Sequence, residues 1–237
     1  MSALRILTLT TTLVLGILAS NCRGDFVGLN GSWHRDSSFG SLNTIGDALN
    51  AINGRTADAT FGVIDIDYPE GSINTVSTAN TPLADFLGSN AYGLRARAGM
   101  SLSDSLYSQL TNSVFVFSGT LQVDSSNDID NSDPEIDVTF RVGSDDGFQL
   151  RIGTEVIGST NVRSFQTTDV NHSFAAAGQY DFELIYFERS GNTGVELTWL
   201  SGSNSGFESL SVTSIPEPSA ACCMLLVSGV IACRRRR

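Results

Sequence analysis

Two adjacent carboxylates break an otherwise alternating stretch of chain. Strand-like residues 138–143 and 148–152 meet at Ser144, Asp145, Asp146 and Gly147. Neighbouring aspartates at a strand end repel each other unless a cation neutralises them. Calcium suits the position because it takes six to eight oxygens in flexible geometry, and two carboxylates, backbone carbonyls and water supply them. Gly147 lets the backbone turn sharply. The plain alternative is a tight acidic turn that holds no ion. A second acidic stretch, Asp128, Asp130, Asn131 and Asp133, also has oxygen ligands at close spacing. It lacks the glycine at position six and the glutamate at position twelve of a helix-loop-helix calcium loop, so it reads as a solvated acidic loop.

Catalytic signals are sparse. His34 and His172 are the two histidines, far apart and read as surface loop residues. No HExxH zinc motif or lysine-bearing phosphate loop occurs, and Ser144 sits in the wrong place for a nucleophile elbow. Glycoside hydrolysis needs two acids facing each other across a cleft, and adjacent aspartates on one turn are poorly placed for that. We therefore assign no catalytic residue and expect no enzyme.

The elements that hold the aspartate turn are strands. Phe115, Phe117, Leu121 and Val123 alternate with small or polar residues. The same alternation runs through Ile136–Val142, Phe148–Ile152, Phe182–Tyr186 and Val195–Trp199. Period-two patterning puts one face on a core and one in water, and several such strands at short intervals predict an antiparallel sandwich or barrel. Trp199, at the end of one alternating run, reads as core. Residues 190–194 form a glycine-rich hairpin turn, and 124–137 an acidic insertion between strands. Upstream, 25–43 reads as loop or a lead-in strand. Asn43 or Thr44 caps a short helix over 45–53, with Ile45, Leu49 and Ile52 on one stripe. Phe61 to Tyr68 reads as one strand ended by Pro69. Residues 71–112 carry weak signals, with helical turns at 82–88 and 102–110.

Charge narrows the partners. All 25 acids lie between Asp25 and Glu217, against eight arginines in the same span and no lysine in the chain. That surplus of 17 negative charges repels nucleic acid and anionic lipid, because phosphate binding needs clustered cations. It suits divalent cations, or simple solubility in a salty exterior. All four cysteines (Cys22, Cys222, Cys223 and Cys233) lie in or beside the two chain ends, which leaves the body without disulfide or thiolate metal site.

The ends read as addresses. Arg5 followed by the apolar run Ile6 to Ala19 has the layout of a secretory signal peptide over 1–21; Cys22 leaves lipidation as an alternative. At the other end Pro216, Glu217 and Pro218 precede an apolar run from Ala220 to Ala232 and then Arg234, Arg235, Arg236 and Arg237. The run falls short of the roughly 20 residues a spanning helix needs. Tripeptide, apolar run and basic end together (216–237) resemble the PEP-CTERM sorting signal. That resemblance implies Sec export, transient membrane anchoring by the tail, cleavage by an exosortase, and an exopolysaccharide or biofilm setting at the cell surface or beyond.

The body, 25–214, carries a second resemblance. The turn at Ser144-Asp145-Asp146-Gly147 with Phe148, Leu150, Ile152 and Gly153, the block Gly178 to Glu188, and Gly194 to Trp199 are similar to the protective-antigen-type β-sandwich, best matched over 113–201. The resemblance implies a mainly β, jelly-roll-like antiparallel sandwich with short helices in its N-terminal part. It also implies a calcium-dependent carbohydrate-binding module of adhesin type. In that branch paired aspartates, across a cis peptide, hold calcium, and the ion meets sugar hydroxyls. Asp145 and Asp146 match the pair, and Asn192 in the hairpin turn matches the second loop's asparagine. The expected partner is an extracellular glycan or polysaccharide. The alternatives are a matrix protein without specific ligand and, behind it, a glycan-active enzyme.

Overall fold

Aromatic and β-branched residues at alternate positions form strands because each pleat then buries one side chain in two. The computed structural model describes residues 26–35, 40–72, 74–202, 205–210 and 212. Both terminal segments, 1–21 and 216–237 with the sorting-signal residues, lie outside them. Among the described residues no helix is long and apolar enough to cross a membrane.

In chain order the strands are β1 (Phe26–Arg35), β2 (Ala59–Val63), β3 (Asp67–Tyr68), β4 (Ser77–Thr78), β5 (Ala91–Ala96), β6 (Ser113–Val123), β7 (Ile136–Asp145), β8 (Gly147–Ile152), β9 (Glu155–Thr160), β10 (Gln166–Phe174), β11 (Gly178–Glu188), β12 (Asn192–Leu200) and β13 (Glu208–Ser209). Two short helices, α1 (Ile45–Ile52) and α2 (Leu83–Leu87), lie in the N-terminal half. One sheet has the order β5-β2-β1-β6-β11-β8-β9 and the other β10-β7-β12-β13, with β3 and β4 also paired to β12. Every strand pair is antiparallel. The inner faces share one core that includes Trp33, Phe115, Phe117, Phe140, Phe148 and Trp199. The mainly β antiparallel architecture expected from the alternation is therefore present, and Trp199 is core.

Of the two readings of 25–43, the lead-in strand holds for Phe26–Arg35: β1 is an interior strand between β2 and β6. Two local expectations need correction. Phe61 to Tyr68 is two strands in different sheets, because β3 pairs with β12 while β2 pairs with β1. The histidines stand in β1 and β10, not in loops, and His34 is buried. The strands β5, β9 and β10 escaped the sequence reading because few of their side chains are buried.

The helix α1 forms as its stripe predicts. Thr44 accepts from the Asp47 N–H at 3.1 Å while Asp47 accepts from the Thr44 N–H at 2.9 Å, a reciprocal cap. It covers part of the outer face of the seven-stranded sheet, where Ala48 and Leu42 join Val114, Ile185 and Phe187 in a second small core. The end of β11 is thereby buried on both faces, a departure from one face in water.

Close approach also fixes one glycine. A Cβ on Gly119 would sit 2.2 Å from the Gly28 carbonyl oxygen, a backbone atom with little freedom to move. Gly119→Ala is expected to lower unfolding free energy by about 2–3 kcal/mol, read as a lower urea midpoint at unchanged slope. Gly178→Ala, whose nearest neighbour is 4.0 Å away, serves as the near-neutral control.

Candidate calcium and glycan site

β7 belongs to one sheet and β8 to the other, so the turn between them bridges the two layers of the sandwich at one end. Asp145 and Asp146 form that bridge, joined by a cis peptide bond. They are only 5% and 3% exposed. The Asp145 carboxylate accepts from the Phe165 N–H at 3.1 Å, and Asp146 from the Arg189 N–H at 2.6 Å. Among the described residues neither carboxylate makes an ion pair. The nearby Arg163 guanidinium is spent on the Ser144 hydroxyl, Thr168 and the Gln166 carbonyl.

The electrostatics follow from that shortage of cation. Burial, and then the neighbouring Asp146 charge, push the Asp145 carboxyl up to about 6. Asp146 is also raised by burial, against the Arg189 N–H that favours its charged form. Oxygen donors alone, buried and with the Arg163 and Arg189 guanidinium groups acting on them only through space, are a donor set for a hard cation. Asp145 and Asp146 would hold calcium there.

Asn192 opens β12 beside the turn. Gly194, two residues on, pairs with Asp145 across the β12–β7 ladder, while Asn192 pairs with Thr78 of β4. The structure thus brings the strand bearing Asn192 against the aspartate turn, and the Asn192 side chain is exposed. Phe165 walls the site: its ring packs where a Cβ on Gly143 or Gly194 would stand.

Beneath the turn lies a polar network that the sequence reading did not assign. The Tyr186 hydroxyl donates to the Asp145 carbonyl oxygen, accepts from the Gly194 N–H at 3.2 Å, and touches Thr193 Oγ1 at 2.7 Å and Glu188 Oε2 at 3.1 Å. A phenol has one proton, and a carbonyl can only accept, so that proton belongs to Asp145. The Glu188 contact then requires a proton on Glu188. Full burial agrees: with the Asp146 charge as second cause, it pushes the Glu188 carboxyl up to about 9. Its other oxygen has no hydrogen-bond partner. The available signal was parity. Phe182, Leu184 and Tyr186 face inward, and two residues further the same alternation puts Glu188 inside.

The second acidic stretch is organised differently from expectation. Carboxylate oxygens of Asp128, Asp130 and Asp137 lie within 4.8 Å of one another, while Asp133 is not part of the group. Asp128 is buried and accepts from the N–H groups of Asp130, Asn131 and Asp137, so it ties the loop together rather than facing solvent.

No family model matches the sequence, and no curated protein does. Solved structures do. The PA14 domain of the MpAFP antifreeze protein superposes with a TM-score of 0.61 at 21% identity, over 81% of this chain and 91% of that one. The chain has the PA14 fold. The PA14 sugar-binding domain from an RTX adhesin matches with a TM-score of 0.55 at 17% identity, over 79% of this chain and 99% of that domain. The matches cover nearly the whole of both PA14 domains.

Proposed function

We propose that this is an exported cell-surface or extracellular-matrix protein whose PA14 sandwich binds glycan at the Asp145–Asp146 turn with the help of calcium. One observation carries the reading: two adjacent carboxylates, nearly out of solvent, with no cationic side chain among the described residues in ion-pair contact with either. The adhesin PA14 domain of the same fold is described as sugar-binding, which supports a saccharide as the partner. Bound calcium would supply coordination positions for sugar hydroxyls. Asp145 and Asp146 supply anionic ligands, the Phe165 and Arg189 N–H groups orient them, and Asn192 offers an amide at the rim. Sec export and exosortase processing rest on the terminal segments, and the extracellular setting agrees with the acidic surplus.

The test is retention of the full chain on immobilised glycans with calcium and with chelator. Calcium-dependent retention is expected, and Asp145→Asn should remove that increment. An increment untouched by Asp145→Asn sinks the site. A calcium-stabilised chain with no calcium-dependent retention on any glycan leaves the structural-matrix reading. Breakdown of a polysaccharide, abolished by replacing one acid, establishes the enzyme reading instead.

A further inference from the structure

On the outer face of the seven-stranded sheet, a β-bulge puts an aromatic ring and a cation side by side. Tyr92 pairs with Gly62 and Arg95 with Thr60, so Gly93 and Leu94 of β5 oppose the single residue Phe61 of β2. Gly93, at φ +62, takes the left-handed conformation within the extra length. Without the bulge, residues three apart would face opposite sides of the sheet. With it, both side chains stand outward. The Tyr92 ring lies over Gly62, where a Cβ would come within 2.2 Å of it, and the residue is 58% exposed.

The ring and the cation border a depression of about 590 Å3 that also includes Asn30, Ser32 and Thr60. A second depression of about 250 Å3 adjoins it at Ser118 and ends at Arg151 and Glu183. The register explains the continuity: Tyr92, Gly62, Asn30, Ser118, Glu183 and Arg151 form one row across six strands. Six neighbouring strands make the row about 24 Å long. It lies four residues along β11 from Phe187, which pairs with Gly147, a separation of about 13 Å along the strands. The trough is therefore separate from the aspartate turn.

Charge says what fits it. Every other arginine among the described residues makes a hydrogen bond, an ion pair or an electrostatic contact. The Arg95 side chain makes none among the described residues, on a body with 17 more acids than arginines. An unpaired cation beside an exposed ring face, followed by the uncharged side chains of Asn30, Ser32, Thr60 and Ser118, matches a hydroxyl-rich sugar chain with a carboxylate at the Arg95 end; the far depression, where Asp181 and Glu183 flank an already paired Arg151, takes neutral rings. β5 is the edge strand of this sheet, but a peptide added there would pair with its backbone and leave the trough across the sheet face unfilled. We propose that this trough binds an acidic oligosaccharide of uronate type, with one sugar ring on Tyr92 and its carboxylate on Arg95. The site does not depend on calcium or on the Asp145–Asp146 turn.

The test is calorimetric titration of the full chain with a short linear oligogalacturonate, in chelator at about 0.15 M ionic strength, where repulsion from distant acids is screened. A neutral cello-oligosaccharide of equal length is the comparison. The oligogalacturonate should bind, and equally well to Asp145→Asn, which separates this site from the calcium reading. Tyr92→Ala should weaken binding by about tenfold or more. Arg95→Gln should weaken the oligogalacturonate several-fold, with a shallower salt dependence, and leave the neutral sugar unchanged. Both residues are exposed, so neither change threatens the fold. No binding in chelator, equal binding by the Tyr92→Ala and Arg95→Gln variants, or equal preference for the neutral sugar overturns the proposal.

Discussion

In chelator, the thermal midpoint of the full chain is expected to fall as pH rises from about 5 to 9, and millimolar calcium is expected to reverse the fall. Glu188, Glu196 and Asp145 are each pushed up, to about 9, 7 and 6, with burial as the first cause. An acid whose folded value is raised holds its proton more tightly in the native state than in the unfolded chain. Its contribution is complete below the ordinary carboxylate range and is lost as pH climbs through the raised value. Asp169 runs the other way, since Arg141 holds it below the ordinary range, but it is ionised in both states throughout this window. His34 and His172, lowered by burial, add stability as pH rises through the imidazole range; the raised acids, Asp65 among them at about 6, outnumber them. Proton and calcium thus compete at the Asp145–Asp146 turn, whose charges also hold the proton on Glu188; Glu196, which faces Asp67, lies outside that competition. At a hundredfold excess over its dissociation constant, calcium stabilises the native state by ~2.7 kcal/mol, which for a chain of this size raises the midpoint by about 5–10 °C. The rise should be largest near pH 8, small near pH 5, and absent in the Asp145→Asn/Asp146→Asn double variant. A midpoint at pH 8 that ignores calcium, or a shift that survives the double substitution, removes the cation from this site.

Tyr186→Phe is expected to cost about 3 kcal/mol of stability and to weaken calcium binding. The hydroxyl is the hydrogen-bond partner of the Asp145 carbonyl and of the Gly194 N–H. Phenylalanine fills the same space and leaves both groups buried and unsatisfied, at roughly 1–3 kcal/mol each. Calcium affinity drops with stability because the carbonyl belongs to the aspartate turn and the N–H to the strand facing it. Tyr180→Phe is the control: its hydroxyl bonds the Ala176 carbonyl at an exposed position, and its loss should cost under about 1 kcal/mol. Glu188→Gln probes the same network from the other side. Its amide can donate to the Tyr186 oxygen as the protonated acid does, so stability near pH 7 should hold while the decline toward pH 9 flattens. Chemical denaturation of the three variants across pH measures all of this. A Tyr186→Phe variant as stable as the parent, or a Glu188→Gln variant with the parent's pH profile, shows that the buried network does not support the turn.

The amino-acid sequence alone determined the class of the fold and the place of its acidic turn. Alternation in 113–123, 136–142, 148–152, 182–186 and 195–199 specifies strands with one face on the core; that 147–150, 184–188 and 193–197 are buried on the other face as well was not legible. The pairing of Thr44 with Asp47 and the Ile45 stripe specify α1 for equally local reasons. The adjacency of Asp145 and Asp146 is covalent, so sequence shows it outright. What depends on partners distant in the chain was not legible. β5, β9 and β10 have few buried side chains, and become strands because β2, β8 and β7 offer them hydrogen bonds. The split of 61–68 between two sheets depends on β12 lying beside β3.

Only the tertiary structure decided how the site is built. Tyr186 and Glu188 come under the aspartate turn because β11 runs alongside β8, placing Phe187 opposite Gly147. Tyr92 and Arg95 share a face only because a bulge changes the parity of β5. Burial and hydrogen-bond satisfaction are properties of neighbours in space. A carboxylate's neighbours, and therefore its charge state and its demand for a cation, are settled only when the two sheets close on each other.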